Sequence, residues 1–385
     1  MTDDDLDRLA RAGVYDPDAA DAAEQRAVLD RLLENGLTMD DLLAANRIGN
    51  LVLRAFERLI LPGERVSIDD AATSTGLAVG EVLRIRRAWG LTDPGPGERA
   101  ISPNELTALA FMASAAAFVG PEPALHVARV MGMAMSRLAE AEIATVRSRI
   151  EVPMLQSHAS TAAMLVAYAG LLEGMLPAAL TTLDALHRAH LVAIGWRYSD
   201  RSLPPSESNI VETVVGFADL TASTSLVQRL DLTGLDRAIT TFETVTSDVI
   251  AAAGATVVKR LGDGVMFVTA HPDVACGIAL DLVDAFRAHP VAPPVRVGLA
   301  AGRVAALRGD FFGPPVHLAA RIVGVAAPST VLVSDDVRRR IEGVAPGFAC
   351  HAEPPVALAG FETPVTLHRL ERTAGGFRTS SSASS

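Results

Sequence analysis

Lysine is nearly absent from this 385-residue sequence: Lys259 stands alone, and arginine supplies every other basic side chain. An ammonium is a compact, rotatable point charge and a guanidinium is a planar fork, so a lone lysine in that background marks a candidate position for chemistry that arginine does not supply. Cysteine is almost as scarce. Cys276 and Cys350 lie far apart without partner spacing, which excludes a disulfide framework and a Cys/His zinc site and leaves two small buried apolar residues as the expectation. A basic excess is also missing. Residues 1–200 carry 27 acidic side chains against 18 arginines, the remainder 18 against 16, and the whole chain a net charge of −11. That balance argues against a nucleic-acid partner. The N-terminal MTDDDLDRLAR has no apolar run and does not read as a signal peptide. The most apolar helical stretch, residues 159–180, is interrupted by Glu173 and Pro177, short of the roughly 20 residues that span a bilayer. It predicts a buried core helix, no membrane span and a cytoplasmic protein.

What is present divides the chain in two. Residues 1–198 repeat apolar side chains at three and four, as in Leu51-Val52-Leu53 with Phe56 and Leu59-Ile60, and predict an all-helical domain. Within it, residues 67–91 have the look of a helix-turn-helix. Gly76 is at the turn and Arg84, Arg86 and Arg87 are on the second helix; the plainer reading is two short packed helices, because the domain is acidic and its basic cluster is isolated. Residues 199–210, with Pro204-Pro205 and several serines, read as a linker. From 211 to 372 the pattern alternates strands and helices, and the Gly- and Ser-rich end, 373–385, reads as a disordered tail.

In the second half, residues 213–217 predict a strand, 223–253 a long amphipathic helix, and 256–259 with 265–269 a hairpin around Gly262-Asp263-Gly264. A helix over 272–289, a strand over 295–300, a helix over 316–325 and a strand over 330–334 complete a βαββαβ order. That order implies an α/β sandwich with helices on one face of a mainly antiparallel sheet. Asp219 follows the first strand and Asp263 sits at the hairpin tip. Were those strands neighbours, the two carboxylates would converge and call for a hard cation. Taken by themselves they read as a helix cap and a turn residue.

Three motifs in order change that reading. Phe217-Ala218-Asp219 ends a strand; Lys259, Gly262 and Asp263 form Lys-x-x-Gly-Asp; Asp310 and Gly313 precede Val316, His317, Ala319 and Arg321. Over about 213–370 the sequence resembles the class III nucleotide cyclase catalytic domain. The resemblance implies an α+β, ferredoxin-like (palm-like) domain that makes cyclic AMP and pyrophosphate from ATP at a homodimer interface. Asp219 and Asp263 would hold two divalent ions, Mg2+ or Mn2+. Amides of residues 220–224 (Leu220, Thr221, Ala222, Ser223, Thr224) would cradle the phosphates at a helix start. Lys259 and Asp310 would read the N1 acceptor and amino donor of adenine, from the subunit opposite the metal aspartates. Arg321 would stabilise charge on the pentavalent phosphorus. His317 departs from the family's asparagine, which leaves a ribose hydrogen bond available and alters its protonation behaviour. Thr221-Ala222-Ser223-Thr224 departs from the common Gly-Phe-Thr turn.

The first half resembles, by architecture and length, the helical regulatory half of soluble actinobacterial cyclases, some of them pH-gated. His187 and His190, three apart on the helix feeding the linker, are candidate pH-sensing residues; a solvated face explains them as well. The apolar helices over 106–119 and 159–180 would enclose an apolar ligand or simply form the core. The alternative to an active enzyme is a weak or dead cyclase acting as a ligand- or DNA-binding regulator, motivated by His317 and the helix-turn-helix look.

Overall fold

The computed structural model describes residues 1–197, 209–221, 231–287, 289–307 and 309–373. The chain divides into two compact units, Met1–Ser199 and Asp200–Ser385.

The first unit is helical: α1 (Asp3–Arg11), α2 (Ala22–Glu34), α3 (Met39–Arg47), α4 (Leu51–Ile60), α5 (Ile68–Thr75), α6 (Val79–Ala88), α7 (Pro103–Val119), α8 (Pro121–Val146), a π-helical turn (Arg147–Glu151), α9 (Val152–Gln156) and α10 (Thr161–Arg197). Its helix starts are written locally. Thr2, Thr38 and Ser67 each cap a helix with an aspartate three residues on, so side chain and backbone satisfy each other's orphan groups reciprocally. Two apolar clusters form. One gathers Leu9, Leu29, Leu32, Leu42 and Leu51 around Leu165 and Ala169 of α10. The other gathers Ala71, Val82, Ile85, Leu109, Met112 and Leu125 from α5 to α8.

α10 corrects the expectation of an interrupted, buried helix. It runs unbroken through Pro177, and Glu173 pairs with Arg31 of α2. Ala162, Leu165 and Ala169 are buried, whereas Met175, Leu180, Leu186, Leu191 and Val192 are more than half exposed. Among the described residues, its buried side chains lie in its first turns. Thr161–Gly195 is long and apolar enough to cross a membrane, with a mean hydropathy of 1.6 over its most apolar window and 22% of that window buried.

The helix-turn-helix look also resolves. Gly76 takes the left-handed conformation (φ 72°) between α5 and α6, but the three arginines are each paired with a carboxylate, Arg86 in the interior and Arg84 and Arg87 at the surface. Arg84 bonds Glu122, Arg86 is buried against Glu105 and the Thr92 carbonyl, and Arg87 forks onto Asp93. Charge engaged in this way offers little to a phosphate backbone.

The second unit holds β1 (Ile210–Leu220), α11 (Leu232–Ala252), β2 (Thr256–Leu261), β3 (Gly264–Thr269), α12 (Pro272–Arg287), β4 (Val295–Leu307), β5 (Asp310–Phe312), α13 (Pro314–Val325), β6 (Val331–Ser334), α14 (Asp335–Ile341), β7 (Phe348–Ala352) and β8 (Leu367–Arg372). The strands form one sheet in the order β2-β3-β1-β4-β6-β8-β7, with β5 on β4. Only the β4–β6 pairing is parallel. Alternation sorts the side chains. Val214, Ala218, Leu220, Val265, Phe267, Val297 and Leu299 face a core with α11, α12 and α14. Val215, Phe217, Met266, Val268 and Ala300 face the other side, where Ala319, Ile322 and Val323 of α13 pack. The expectation of helices on one face only is therefore corrected. Gly298 explains the exception: a Cβ there would lie 2.5 Å from the Val323 amide nitrogen, so its absence lets α13 rest directly on β4. The long helix begins at Leu232, later than the predicted 223, and residues 222–230 lie outside the described residues.

Candidate active site

β1 lies between β3 and β4, and its end gathers the acidic residues. Asp219 is opposite Gly264 on β3 and Arg296 on β4. The Leu220 amide donates to the Asp263 carbonyl (3.1 Å), which fixes the hairpin turn against the end of β1. Gly262 supplies the positive φ (67°) that a two-residue turn needs at its first central position. The two predicted metal aspartates are therefore neighbours. Burial, first, and then the nearby Asp263 charge push the Asp219 carboxyl above its usual range, against the lowering effect of Arg296. Burial is the larger cause, and the neighbouring carboxylate adds to it.

Arg296 is the residue that sequence reasoning missed. Its Nε and Nη2 both donate to Asp219 Oδ2 (3.1 and 2.6 Å), and its Nη1 donates to the Gly324 carbonyl in the last turn of α13 (3.0 Å). A signal existed, since an arginine interrupts the otherwise apolar Val295-Arg296-Val297-Gly298-Leu299.

The second group is Lys259 with Asp310. Lys259 Nζ pairs with Asp310 Oδ2, and Asp310 Oδ1 accepts from the Phe311 amide (2.8 Å). The lone lysine and its predicted partner are thus brought together on one chain, both partly exposed. A bulge places Lys259. Val257 is opposite Phe267 and Lys259 opposite Met266, with Val258 as the extra residue. Without that extra residue in the register, alternation would turn Lys259 toward the α11–α12 core. The bulge puts Lys259 on the Asp219 face and Arg260 on the other, where Arg260 donates to Ser247 Oγ (2.6 Å) on α11.

His317 and Arg321 lie four apart on α13 and are both exposed. The predicted phosphate cradle is corrected in part. The Leu220 amide is engaged by Asp263, and the Thr221 amide and hydroxyl both donate to the Pro294 carbonyl (2.9 and 2.8 Å). Neither amide is free for an anion. Ala222, Ser223 and Thr224 lie outside the described residues. His187 and His190 are exposed on α10, where Asp184, beside His187, is forked by Arg188 (2.8 and 3.0 Å).

The donor set suits a hard divalent cation in kind. It consists of two adjacent carboxylates, and among the described residues no group of three or more His, Cys, Asp or Glu gathers to complete a protein-only cage. Mg2+ is characteristically held by one or two carboxylates with substrate phosphates completing the shell, so two aspartates fit that mode and not a structural cage.

The comparisons with known proteins match a family to each half of the chain. The family described as "Adenylate cyclase regulatory domain" matches residues 3–190, and "Adenylate and Guanylate cyclase catalytic domain" matches 207–372. The chain belongs to the class III cyclases and is an adenylate cyclase with an N-terminal regulatory domain. An uncharacterized protein of Mycobacterium tuberculosis is 35% identical over 368 residues, covering 95% of this chain and 94% of its own. An adenylate cyclase of Streptomyces coelicolor is 33% identical over 74% of this chain and 73% of its own. A pH-sensitive adenylate cyclase of M. tuberculosis is 29% identical over 93% and 90%. The solved adenylyl cyclase CyaB of P. aeruginosa aligns with a TM-score of 0.38 at 21% identity, over 44% of this chain and 97% of that one.

Proposed function

We propose that the protein converts ATP to 3′,5′-cyclic AMP and pyrophosphate at sites shared by two copies of the chain, with Asp219 and Asp263 holding two divalent ions, Mg2+ or Mn2+. The observation that carries this reading is the register that seats Asp219 against the Asp263 turn. When bound, the ions would acidify the ribose 3′-hydroxyl and neutralise the triphosphate. The side chains do the rest. Lys259 donates toward adenine N1 while Asp310 accepts from the exocyclic amine, a pattern guanine does not match. Arg321 stabilises charge on the reacting phosphorus, and His317 donates to the ribose. Residues 222–224 are what remains of the phosphate cradle. Within one chain the Asp219 group and the Lys259 group share no direct hydrogen bond or ion pair among those described, which suits a site completed by the partner's readers.

We read residues 1–198 as the regulatory domain, 199–210 as linker, 211–372 as catalytic domain and 373–385 as tail. The regulatory domain gates activity, with His187 and His190 as the pH-sensing pair; similarity to a pH-sensitive adenylate cyclase supports this. An apolar ligand of that domain would take the cleft of about 640 Å³ lined by Leu51, Phe56, Ile143, Leu155, Met164 and Tyr168. Because α10 falls largely within the residues matched by the regulatory-domain family, we assign it to that domain and the protein to the cytoplasm.

Either Asp219→Ala or Asp263→Ala should lower turnover by about 10³-fold or more, while circular dichroism stays unchanged. Substantial activity in either variant would remove the two-metal assignment.

A further inference from the structure

We propose that His289 is a positioning residue for the metal-binding end of the active site: its ring builds the loop whose last carbonyl holds Thr221, and through Thr221 the end of β1. The proposal rests on the reading of Asp219 and Asp263 as metal ligands. The loop from α12 to β4 is short of donors. It reads His289-Pro290-Val291-Ala292-Pro293-Pro294, and its three prolines have no N–H. The His289 amide donates back to the Phe286 carbonyl in the last turn of α12 (3.3 Å). The other two amides, of Val291 and Ala292, both donate to His289 Nδ1 (3.2 and 3.3 Å). Two donors on Nδ1 fix the tautomer, with the ring hydrogen on Nε2.

Burial makes these bonds count. Ala292 is 5% exposed and belongs to the core formed with α11 and α12, so its amide without an acceptor would be a buried orphan. The ring also packs on Phe286, with centroids 5.9 Å apart. Proline fixes φ at three positions, and the imidazole ties the two residues between Pro290 and Pro293, so the loop is a short strut.

The strut ends on the active site. The Pro294 carbonyl accepts both the amide and the hydroxyl of Thr221 (2.9 and 2.8 Å), just beyond the last β1–β4 pair, Leu220 opposite Val295. Thr221 lies two residues past Asp219 and follows Leu220, whose amide holds the Asp263 turn. The loop conformation set at His289 is in this way passed to both aspartates. His289 acts through the loop and through Thr221, so its contribution is placement. Two ions and a nucleophile held in line lose rate steeply with small displacements of their ligands.

The test compares wild type, His289→Ala, His289→Phe and His289→Asn in the full-length protein. Melting temperature, kcat/KM for ATP and the Mn2+ concentration giving half-maximal activity are measured. Asparagine Oδ1 lies as many bonds from the main chain as His Nδ1 and accepts from nearby amides in the same way, but brings no ring. Phenylalanine keeps a ring against Phe286 and has no acceptor. His289→Ala and His289→Phe should lose about tenfold or more in kcat/KM and require more Mn2+, while His289→Asn recovers to within about threefold of wild type. A ring needed only for packing would give the reverse order, with His289→Phe near wild type and His289→Asn impaired, and that order overturns the proposal. So does His289→Asn as impaired as His289→Ala, or a lowered melting temperature in His289→Ala at unchanged kcat/KM and Mn2+ requirement. Should His289→Ala fail to fold, His289→Phe against His289→Asn decides. Asp219→Ala is assayed alongside. Activity that survives it removes the metal reading and this proposal with it, whereas loss in Asp219→Ala with unaffected His289 variants removes this proposal alone.

Discussion

Thr38 and Asp41 show how much a pair of side chains can specify. The Thr38 hydroxyl accepts from the Asp41 amide (3.1 Å), while the Asp41 carboxylate accepts from the Thr38 amide (2.9 Å) and hydroxyl (2.6 Å). The Thr38 side chain, and then its backbone, hold the Asp41 carboxyl below its usual range. An acid whose pKa is depressed by folding adds stability above its unfolded value and loses it as pH falls through the folded one. Thr38→Ala should therefore cost about 1 kcal/mol near neutrality and less in acid, below the ordinary carboxylate range, as read from urea melts across pH. A cost that stayed constant with pH would separate the cap from the carboxylate. The same scale shows what was legible. Asp219, Asp263, Lys259 and Asp310 could be picked out because their chemistry sits in short motifs at strand ends. Arg296 left only the signal of an arginine in an apolar strand, because its partner depends on the residue across the strand, and register is not written in either strand alone.

Elements were read well where one periodicity ruled, and poorly where tertiary contacts overrode it. The β2 bulge is invisible in Thr256-Val257-Val258-Lys259, which reads as an ordinary strand, yet it decides which face receives Lys259. α10 was misjudged for the opposite reason. Glu173 and Pro177 looked like interruptions, but Glu173 is paired with Arg31 and the helix continues through the proline. α13 escaped a one-faced sandwich because its seat depends on Gly298, whose missing Cβ is a packing signal and not a periodic one. For function, α10 matters as the carrier of His187 and His190. Protonating both would change its local charge by up to two, which is how a charge switch would act on this helix. Activity of the full chain should rise on acidification, and a chain beginning near Ser206 should lack that response. Profiles of the same shape would locate the pH dependence in the catalytic domain.

At the scale of the whole molecule, family membership fixes the class of enzyme, and the proposed division of the site between two copies concerns its assembly. Asp219, Asp263 and Arg296 meet at the end of β1; Lys259 and Asp310 meet along β2 and β5. If each site takes its metal ligands from one copy and its base readers from the other, then neither an Asp219→Ala dimer nor a Lys259→Ala dimer holds an intact site. A heterodimer of the two holds one. The most direct measurement is cyclic AMP formation from ATP and Mn2+ by an equimolar mixture of these inactive variants, with subunit exchange verified by mass spectrometry. Statistical exchange makes half the dimers mixed, so the account predicts recovery to roughly a quarter of wild-type activity. A mixture that exchanges fully and stays as inactive as its components would contradict a site shared between two copies.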